Sequence, residues 1–388
     1  MTADAKEGLI ATMTARLAQI LDDIGELVTC ESPSSDLAAV AASADVVARI
    51  GQRLTGQAPE RITIDGRSHL RWRLGGAPAG GAPAGGAPRV LLLAHHDTVW
   101  PLGSLATHPF SVTGGVLHGP GCFDMKTGLA LALHAAAVLG APAGVTILVT
   151  GDEEIGSPSS RALIEAEAAG CVAALVLEAA ADGGAIKTER KGTSMYQIRV
   201  LGRAAHAGLD PEKGVNATIE LAHQVLAIGG LADAARGTSV TPTAMSAGTT
   251  LNTVPAAGGL AVDVRMWDAS EQERVDAGVR ALTPVLHGAA LEVSGGPNRP
   301  PLGSSASAGL FARAAEVAAR LGLAPLTRAA VGGASDGNFT AGAGVPTLDG
   351  LGAVGGGAHA DHEHVLVAEL PARAALLAAL IDDLLRRA

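Results

Sequence analysis

His95, His96 and Asp97 stand directly behind an apolar run in "LLLAHHDTVWP". Four other stretches repeat the pattern. Asp124 lies in "GPGCFDMKTG", a Gly-rich turn before an apolar helical stretch. Asp152, Glu153 and Glu154 follow "GVTILVT", and Glu178 ends "AALVLE". His359, His362, Glu363 and His364 lie in "GGGAHADHEHV". A carboxylate at a strand end is ordinarily a helix cap, and a single His is ordinarily a surface or core group. Five such clusters at one sheet edge call for a cation, because gathered carboxylates repel one another. Two imidazoles with three carboxylates form a borderline-to-hard donor set that suits Zn2+, with Co2+ or Mn2+ as substitutes. In H-x-D, positions i and i+2 share one side of an extended strand. His95 and Asp97 can therefore act together while His96, a bystander, points elsewhere.

The elements that must position these groups follow from periodicity. Leu9, Met13, Leu17, Ile20, Ile24 and Leu27 recur at helical spacing and predict an N-terminal helix. "CESPSSD" breaks it, and Asp36 caps a second helix through about Leu54. The tandem repeat "GGAPAGGAPAGGAP", residues 75–88, has nothing to bury and predicts an exposed, mobile loop between two strands. Next, "RVLLLA", "GVTILVT" and "AALVLE" read as buried strands, alternating with the helices "MKTGLALALHAAAVLG" and "SSRALIEAEAAG". That series predicts an α/β fold with a mainly parallel sheet covered on both faces. Ligands gather at the carboxyl ends of such strands.

From "MYQIRVLG" onward the character changes. Strand, helix from about Val215 to Leu231, strands "SVTPTAMSAG" and "GLAVDVRMW", helix and strand "AALEVSG" give β-α-β-β-α-β, the ferredoxin-like order. The second helix is expected to open on a Ser270–Glu273 capping box and to carry Val275, Val279, Leu282 and Leu286 on one face. We read roughly residues 192–301 as a second domain inserted into the first, which comprises residues 1–191 and 302–388. Helices near 305–322 and 367–387 complete the first.

Composition narrows the function classes. The net charge of −10 argues against nucleic acid or an anionic membrane as partner. Three widely spaced cysteines, Cys30, Cys122 and Cys171, fit reduced thiols in a cytoplasm. No apolar run is long enough to span a bilayer, and "MTADAKEGLI" lacks a signal-peptide core. Cytoplasmic localisation is expected. "GLGAVG", residues 350–355, matches G-x-G-x-x-G but is followed by His359 rather than a helix, which argues against dinucleotide binding.

The sequence resembles the zinc aminoacylase/carboxypeptidase superfamily of di-zinc exopeptidases and deacylases, above all its folate-cleaving glutamate carboxypeptidase branch. "AHHDTVWP", "GPGCFDMKTG", "TGDEEIGS", "VLEAA", "AAHAG", "NTVP" and "GGGAHADHEHV" occur in the family's order across nearly the whole chain. The resemblance implies two Zn2+ per chain, bridged by Asp124, with His95 and Glu178 completing one site and Glu154 and His359 the other. It makes Glu153 the general base and has the Asp97 carboxylate hydrogen-bond the His95 imidazole. It gives His206 of "GRAAHAG" the role of oxyanion donor to a neighbouring subunit, so the inserted domain serves as a dimerisation and lid domain and a homodimer is expected. Asn252 and Arg265 match residues that bind a substrate carboxylate, and Lys187 matches a basic residue near a glutamate side chain; its plainer reading is a solvated loop lysine. Ala179 replaces a frequent Pro, and that loop is one residue longer, which bears on substrate choice. Cys122 lies two residues before Asp124 and reads as a buried small residue or a neighbour of the metal.

The expected activity is zinc-dependent cleavage of an amide bond, releasing a C-terminal amino acid such as glutamate from a peptidyl or N-acyl substrate. The alternatives are an aminoacylase or deacetylase of small N-acyl amino acids, and a metal-stabilised binding protein without catalysis. The base Glu153 speaks against the last, since a scaffold needs ligands but no base.

Overall fold

The computed structural model describes residues 3–75 and 89–387. Contacts divide them into two units, one of Met1–Glu189, Leu302–Val331 and Ser335–Ala388, the other of Arg190–Pro301 and Gly332–Ala334. The tandem repeat, apart from Gly75, lies outside the described residues.

The first unit opens with α1 (Ala3–Ala15) and α2 (Leu17–Thr29), so the single expected helix is divided at Arg16. Met13, Ile20, Ile24 and Leu27 are nevertheless fully buried on one apolar face. Helix α3 (Leu37–Thr55) starts at Asp36, whose carboxylate accepts the Ala38 and Ala39 peptide N–H groups, and ends at Gly56 in the left-handed region. The sheet contains β1 (Glu60–Ile64), β2 (Arg67–Arg73), β3 (Val90–His95), β4 (Val145–Thr150) and β5 (Ala173–Val176). Its order is β1-β2-β4-β3-β5, with the short strand Thr347–Leu348 beyond β5. β3 runs parallel to both β4 and β5, and Thr347–Leu348 runs parallel to β5, whereas β1 and β2 are antiparallel. The antiparallel pair at one edge was not foreseen. Every residue of β3, β4 and β5 is buried. Their continuous apolar runs are what a strand covered on both faces requires. The helices α4 (Thr127–Val138) and α5 (Arg161–Ala168) form the crossovers between them. Because β3, β4 and β5 point the same way, the residues that follow them emerge at one edge.

The second unit runs β6 (Gly192–Leu201), α6 (Ala217–Gly229), β7 (Ser239–Ala247), β8 (Ala257–Met266), α7 (Ala269–Arg280) and β9 (Ala290–Arg299). Its sheet order is β7-β8-β6-β9 with every pair antiparallel, the ferredoxin-like arrangement. Tyr196, Ile198, Val200, Val262, Val264 and Met266 alternate into the core with Val275 and Val279 of α7. The expected capping box does not form. Helix α7 begins at Ala269 after Asp268, so Ser270 lies inside it and accepts from Arg236. Leu282 and Leu286 fall beyond its end at Arg280, ahead of and after Pro284, which cannot donate to a helical ladder.

The chain then returns through α8 (Ser304–Arg320), α9 (Gly337–Gly342) and α10 (Leu370–Arg387). α10 packs on α4, and its Leu376, Leu377, Leu380 and Ile381 join the first unit's core. Among the described residues no helix is long and apolar enough to cross a membrane.

Candidate metal centre

Each strand end delivers its group by a different local device. β3 hands over to His95 as its last residue. After β4, Glu153 and Glu154 open a single 3-10 turn, Glu153–Ile155. After β5 comes Glu178, and Leu177 before it is crowded from two sides. A Cβ on Gly128 of α4 would lie 1.9 Å from the Leu177 carbonyl oxygen, and one on Gly352 would lie 2.1 Å from it. Only glycine permits these approaches, which accounts for a Gly in "DMKTG" and in the decoy "GLGAVG". Gly352 also donates its N–H to the Glu178 carbonyl at 2.8 Å. Buried Arg373 of α10 holds the same loop through the carbonyls of Gly350 and Gly352.

Two triads result. His95, Asp124 and Glu178 bring one ligand atom each within 4.8 Å of one another, and so do Asp124, Glu154 and His359. Asp124 belongs to both. His95 Nε2 stands 3.4 Å from Asp124 Oδ1 and 3.6 Å from Glu178 Oε1. His359 Nε2 stands 3.4 Å from Asp124 Oδ2 and 3.1 Å from Glu154 Oε2. Most of these separations exceed a hydrogen bond. Two ligands at ~2.0 Å from a tetrahedral ion lie about 3.3 Å apart, so the spacing suits a shared cation. His95 Nε2 and Glu154 Oε1 are buried atoms without a hydrogen-bond partner. These residues fit divalent metal. His359 is held in the left-handed region at φ 61°, a conformation uncommon outside Gly and enriched for His.

Charge tells the same story. Burial alone would drive the His95 imidazole down, but the carboxylates of Asp124, Asp97 and Glu178 hold it well above its ordinary value. Asp124 and Glu154 lift His359 to about 10. Burial would raise Asp124, yet the two imidazoles keep it well below the usual carboxylate range. Burial lifts Glu154 to about 7 against the pull of His359. The upward shift of both imidazoles and the downward shift of Asp124 mark a site that favours positive charge among these carboxylates.

Asp97 does more than the sequence reading gave it. His95 Nδ1 donates to the Asp97 carbonyl at 3.0 Å, with the carboxylate Oδ1 farther off at 3.5 Å. The shorter contact is thus to backbone, with the carboxylate also facing the imidazole. That carboxylate also accepts the Glu153 and Glu154 peptide N–H groups, both at 3.2 Å, and the Ser34 hydroxyl at 2.6 Å. One buried anion therefore fixes the turn that carries Glu153 and Glu154. Ser34 comes from "CESPSSD", read from sequence only as a helix breaker. Glu153 is itself buried and belongs to neither triad.

The other residues singled out from sequence fall as follows. His96 is buried, bonds the Ser68 carbonyl, and is held at about 4 by burial. Asp152 accepts from Ser159 and Ser160 ahead of α5 and belongs to neither triad. Cys122 is buried with its thiol pushed up by burial. Lys187 belongs to the first unit and lies half-buried on strand Ile186–Arg190, its N–H on the Asp349 carbonyl. His206, Asn252 and Arg265 belong to the second unit. His206 is exposed, and its Nδ1 accepts from Gly208 and Leu209, both at 3.1 Å, which leaves the proton on Nε2. Asn252 is exposed, its carbonyl taking the Ala207 N–H. Arg265 Nε and Nη2 grip Asp263 of the same strand, and Nη1 takes no part in that pair. Glu363, grouped in the sequence only with its neighbouring histidines, accepts from the Gly121, Phe123 and Asp124 peptides and from the Trp100 indole.

Comparison with known proteins agrees with this geometry. Residues 91–383 match the model of peptidase family M20/M25/M40. The chain is 33% identical over 312 residues to carboxypeptidase G2 of Pseudomonas sp. (strain RS-16), covering 76% of this chain and 74% of that protein. It is 29% identical over 321 residues to a succinyl-diaminopimelate desuccinylase of Methylorubrum populi, covering 76% of this chain and 82% of that one. In fold it matches an M20 family metallo-carboxypeptidase from Sulfolobus solfataricus at TM-score 0.70 and 16% identity, over 94% of this chain and 98% of that chain. With strand-end triads fit for metal and a family match over most of its length, the chain belongs to peptidase family M20/M25/M40 and is a metallo-hydrolase of amide bonds.

Proposed function

We propose that this chain is a two-zinc amidohydrolase that releases a C-terminal amino acid, glutamate foremost, from a peptidyl or N-acyl substrate. The observation that carries the reading is the sharing of Asp124 by two triads whose spacing suits a cation in each. His95, Asp124 and Glu178 would hold one ion, and Asp124, Glu154 and His359 the other. Two imidazoles with three carboxylates favour zinc, with Co2+ or Mn2+ as substitutes. Divalent metal at this position supplies Lewis acidity, polarising the scissile carbonyl and acidifying water.

The protein's own groups do the rest. Glu153, beside the triads but outside them, accepts a proton from attacking water at its carboxylate and passes it to the departing amine, worth roughly 10²–10⁴-fold. Asp97 keeps Glu153 and Glu154 in place through their peptide N–H groups. His206, with its proton on Nε2, is suited to donate to a developing oxyanion. We assign it that role across a homodimer built through the second unit, which would act as dimerisation and lid domain, with residues 1–191 and 302–388 as the catalytic domain. Arg265 would meet a substrate carboxylate through Nη1 beside Asn252, with Lys187 toward a glutamate side chain. Three free cysteines suit a cytoplasmic location.

The desuccinylase relative favours a second reading, hydrolysis of small N-acyl amino acids by the same chemistry. A hydrolysis screen of purified protein separates the two, using N-acyl amino acids, dipeptides and glutamate conjugates including folates, with metal content measured in parallel. Activity should track about two ions per chain and disappear on chelation. Full activity in metal-free protein would defeat the reading.

A further inference from the structure

We propose that Glu363 is a positioning residue that fixes the Asp124 turn to the segment carrying His359; the inference rests on reading Asp124 and His359 as metal ligands. Glu363 is 3% exposed and belongs to neither triad. Its Oε1 accepts the Phe123 N–H at 2.8 Å and the Asp124 N–H at 3.0 Å. Its Oε2 accepts the Gly121 N–H at 2.9 Å and the Trp100 indole N–H at 2.7 Å. Four donors converge on one carboxylate, and none of them is a cation.

The need for such an acceptor is local. Asp124 has extended dihedrals, φ −116° and ψ 97°, inside the turn Cys122–Lys126, so no regular helical ladder takes up these N–H groups. Left unpaired, each buried donor costs about 1–3 kcal/mol. Glu363 stands in for the missing carbonyls. Its own backbone is pinned, with its N–H on the Ala360 carbonyl and its carbonyl 3.1 Å from His118 Nδ1. Glu363 lies four residues beyond His359 and 239 residues from Asp124. One side chain thereby sets the spacing of two ligands from distant parts of the chain. A carboxylate serving only solubility would not be buried, and one serving as ligand would not spend both oxygens on peptide donors.

The test is Glu363→Gln in the full-length protein. The amide keeps the size, but one oxygen becomes an NH2 that faces two donors whichever way it turns. Trp100→Phe removes one donor and keeps the anion; Asp124→Asn tests the ligand reading. Zn2+ affinity is measured by competition with a chromophoric chelator. The visible spectrum of the Co2+-loaded protein and the thermal midpoint of the metal-free protein are recorded alongside. We expect Glu363→Gln to weaken Zn2+ binding by about 10–100-fold, as outer-shell partners do, and to alter the cobalt spectrum. Trp100→Phe should move both in the same direction by less, and it alone decides the matter if Glu363→Gln does not fold. A lowered midpoint with unchanged affinity and spectrum makes Glu363 merely structural and overturns the proposal. Loss of affinity in Asp124→Asn with none in the other two variants overturns it while sparing the ligand reading. Undiminished affinity in Asp124→Asn removes that reading and the proposal with it.

Discussion

Gly128→Ala is the smallest change that should reach the metal through packing alone. The added methyl would sit 1.9 Å from the Leu177 carbonyl oxygen, whereas real Cβ atoms do not come within 3.0 Å of a neighbour. The backbones of α4 and of the segment after β5 must therefore separate by at least 1.1 Å, the difference between those two distances. Neither side is the far end of a flexible chain. The α4 side follows Asp124 by four residues, and the other side precedes Glu178 by one. Metal–ligand distances tolerate only about ±0.2 Å, so His95, Asp124 and Glu178 can no longer close on one ion. We expect Zn2+ affinity at that triad to fall at least ~10-fold and stability to fall by about 1–3 kcal/mol from overpacking. Chelator competition and urea unfolding of the metal-free protein read the two effects separately. Gly352→Ala, which meets the same carbonyl at 2.1 Å, should act alike. Gly309→Ala in α8, with nothing within 4 Å, serves as control and should leave metal binding alone. If Gly128→Ala binds zinc as tightly as the parent protein, the claim that these glycines set the ligand spacing is wrong.

Adjacent glutamates should separate base from ligand: Glu153→Gln should lower kcat by at least ~10²-fold with zinc retained, whereas Glu154→Gln should lose zinc and be partly rescued by adding it. The reverse pattern of zinc loss would show the assignment to be off by one residue. His206→Ala should lose turnover and keep metal, and mixing it with Glu153→Ala under subunit exchange should restore some activity; verified mixed dimers without recovery would rule out a shared site. Ser34→Ala removes the 2.6 Å hydroxyl donor to the Asp97 carboxylate and should cost about 1.5–3 kcal/mol in urea unfolding, as for a hydrogen bond to a charged group. A midpoint equal to the parent's would mean that the Asp97 anion does not depend on it.

The five side chains of the two triads were legible because chemistry that needs charge at strand ends interrupts apolar runs with residues that have no other reason to cluster. The β-α-β-β-α-β order was legible because period-2 and helical patterns alternate cleanly there. What escaped notice runs through backbone. The hydrogen bonds that Glu363 accepts from three peptides and Asp97 from two leave no mark in residue type, since almost any residue carries an N–H. The Asp263 grip on Arg265 was in principle readable, because residues two apart on a strand share a face. The Ser270–Glu273 pattern misled because Asp268, another cap former, stands two residues earlier and the helix starts from it. Leu286 misled because apolar spacing alone does not register the break at Pro284.

The second unit begins and ends on neighbouring strands: β6 and β9 pair along their length, with Thr193 opposite Arg299. Once that sheet has formed, the two points where the chain leaves and rejoins are held about one strand spacing apart, near 4.8 Å. To the rest of the polypeptide, some hundred residues then count as little more than a hairpin turn. A flexible segment of that length in place of a two-residue turn would cost about 3.5 kcal/mol more in closure entropy. With the ferredoxin-like sheet formed on its own contacts, Thr347–Leu348 can find β5 with no long, floppy excursion to be drawn in.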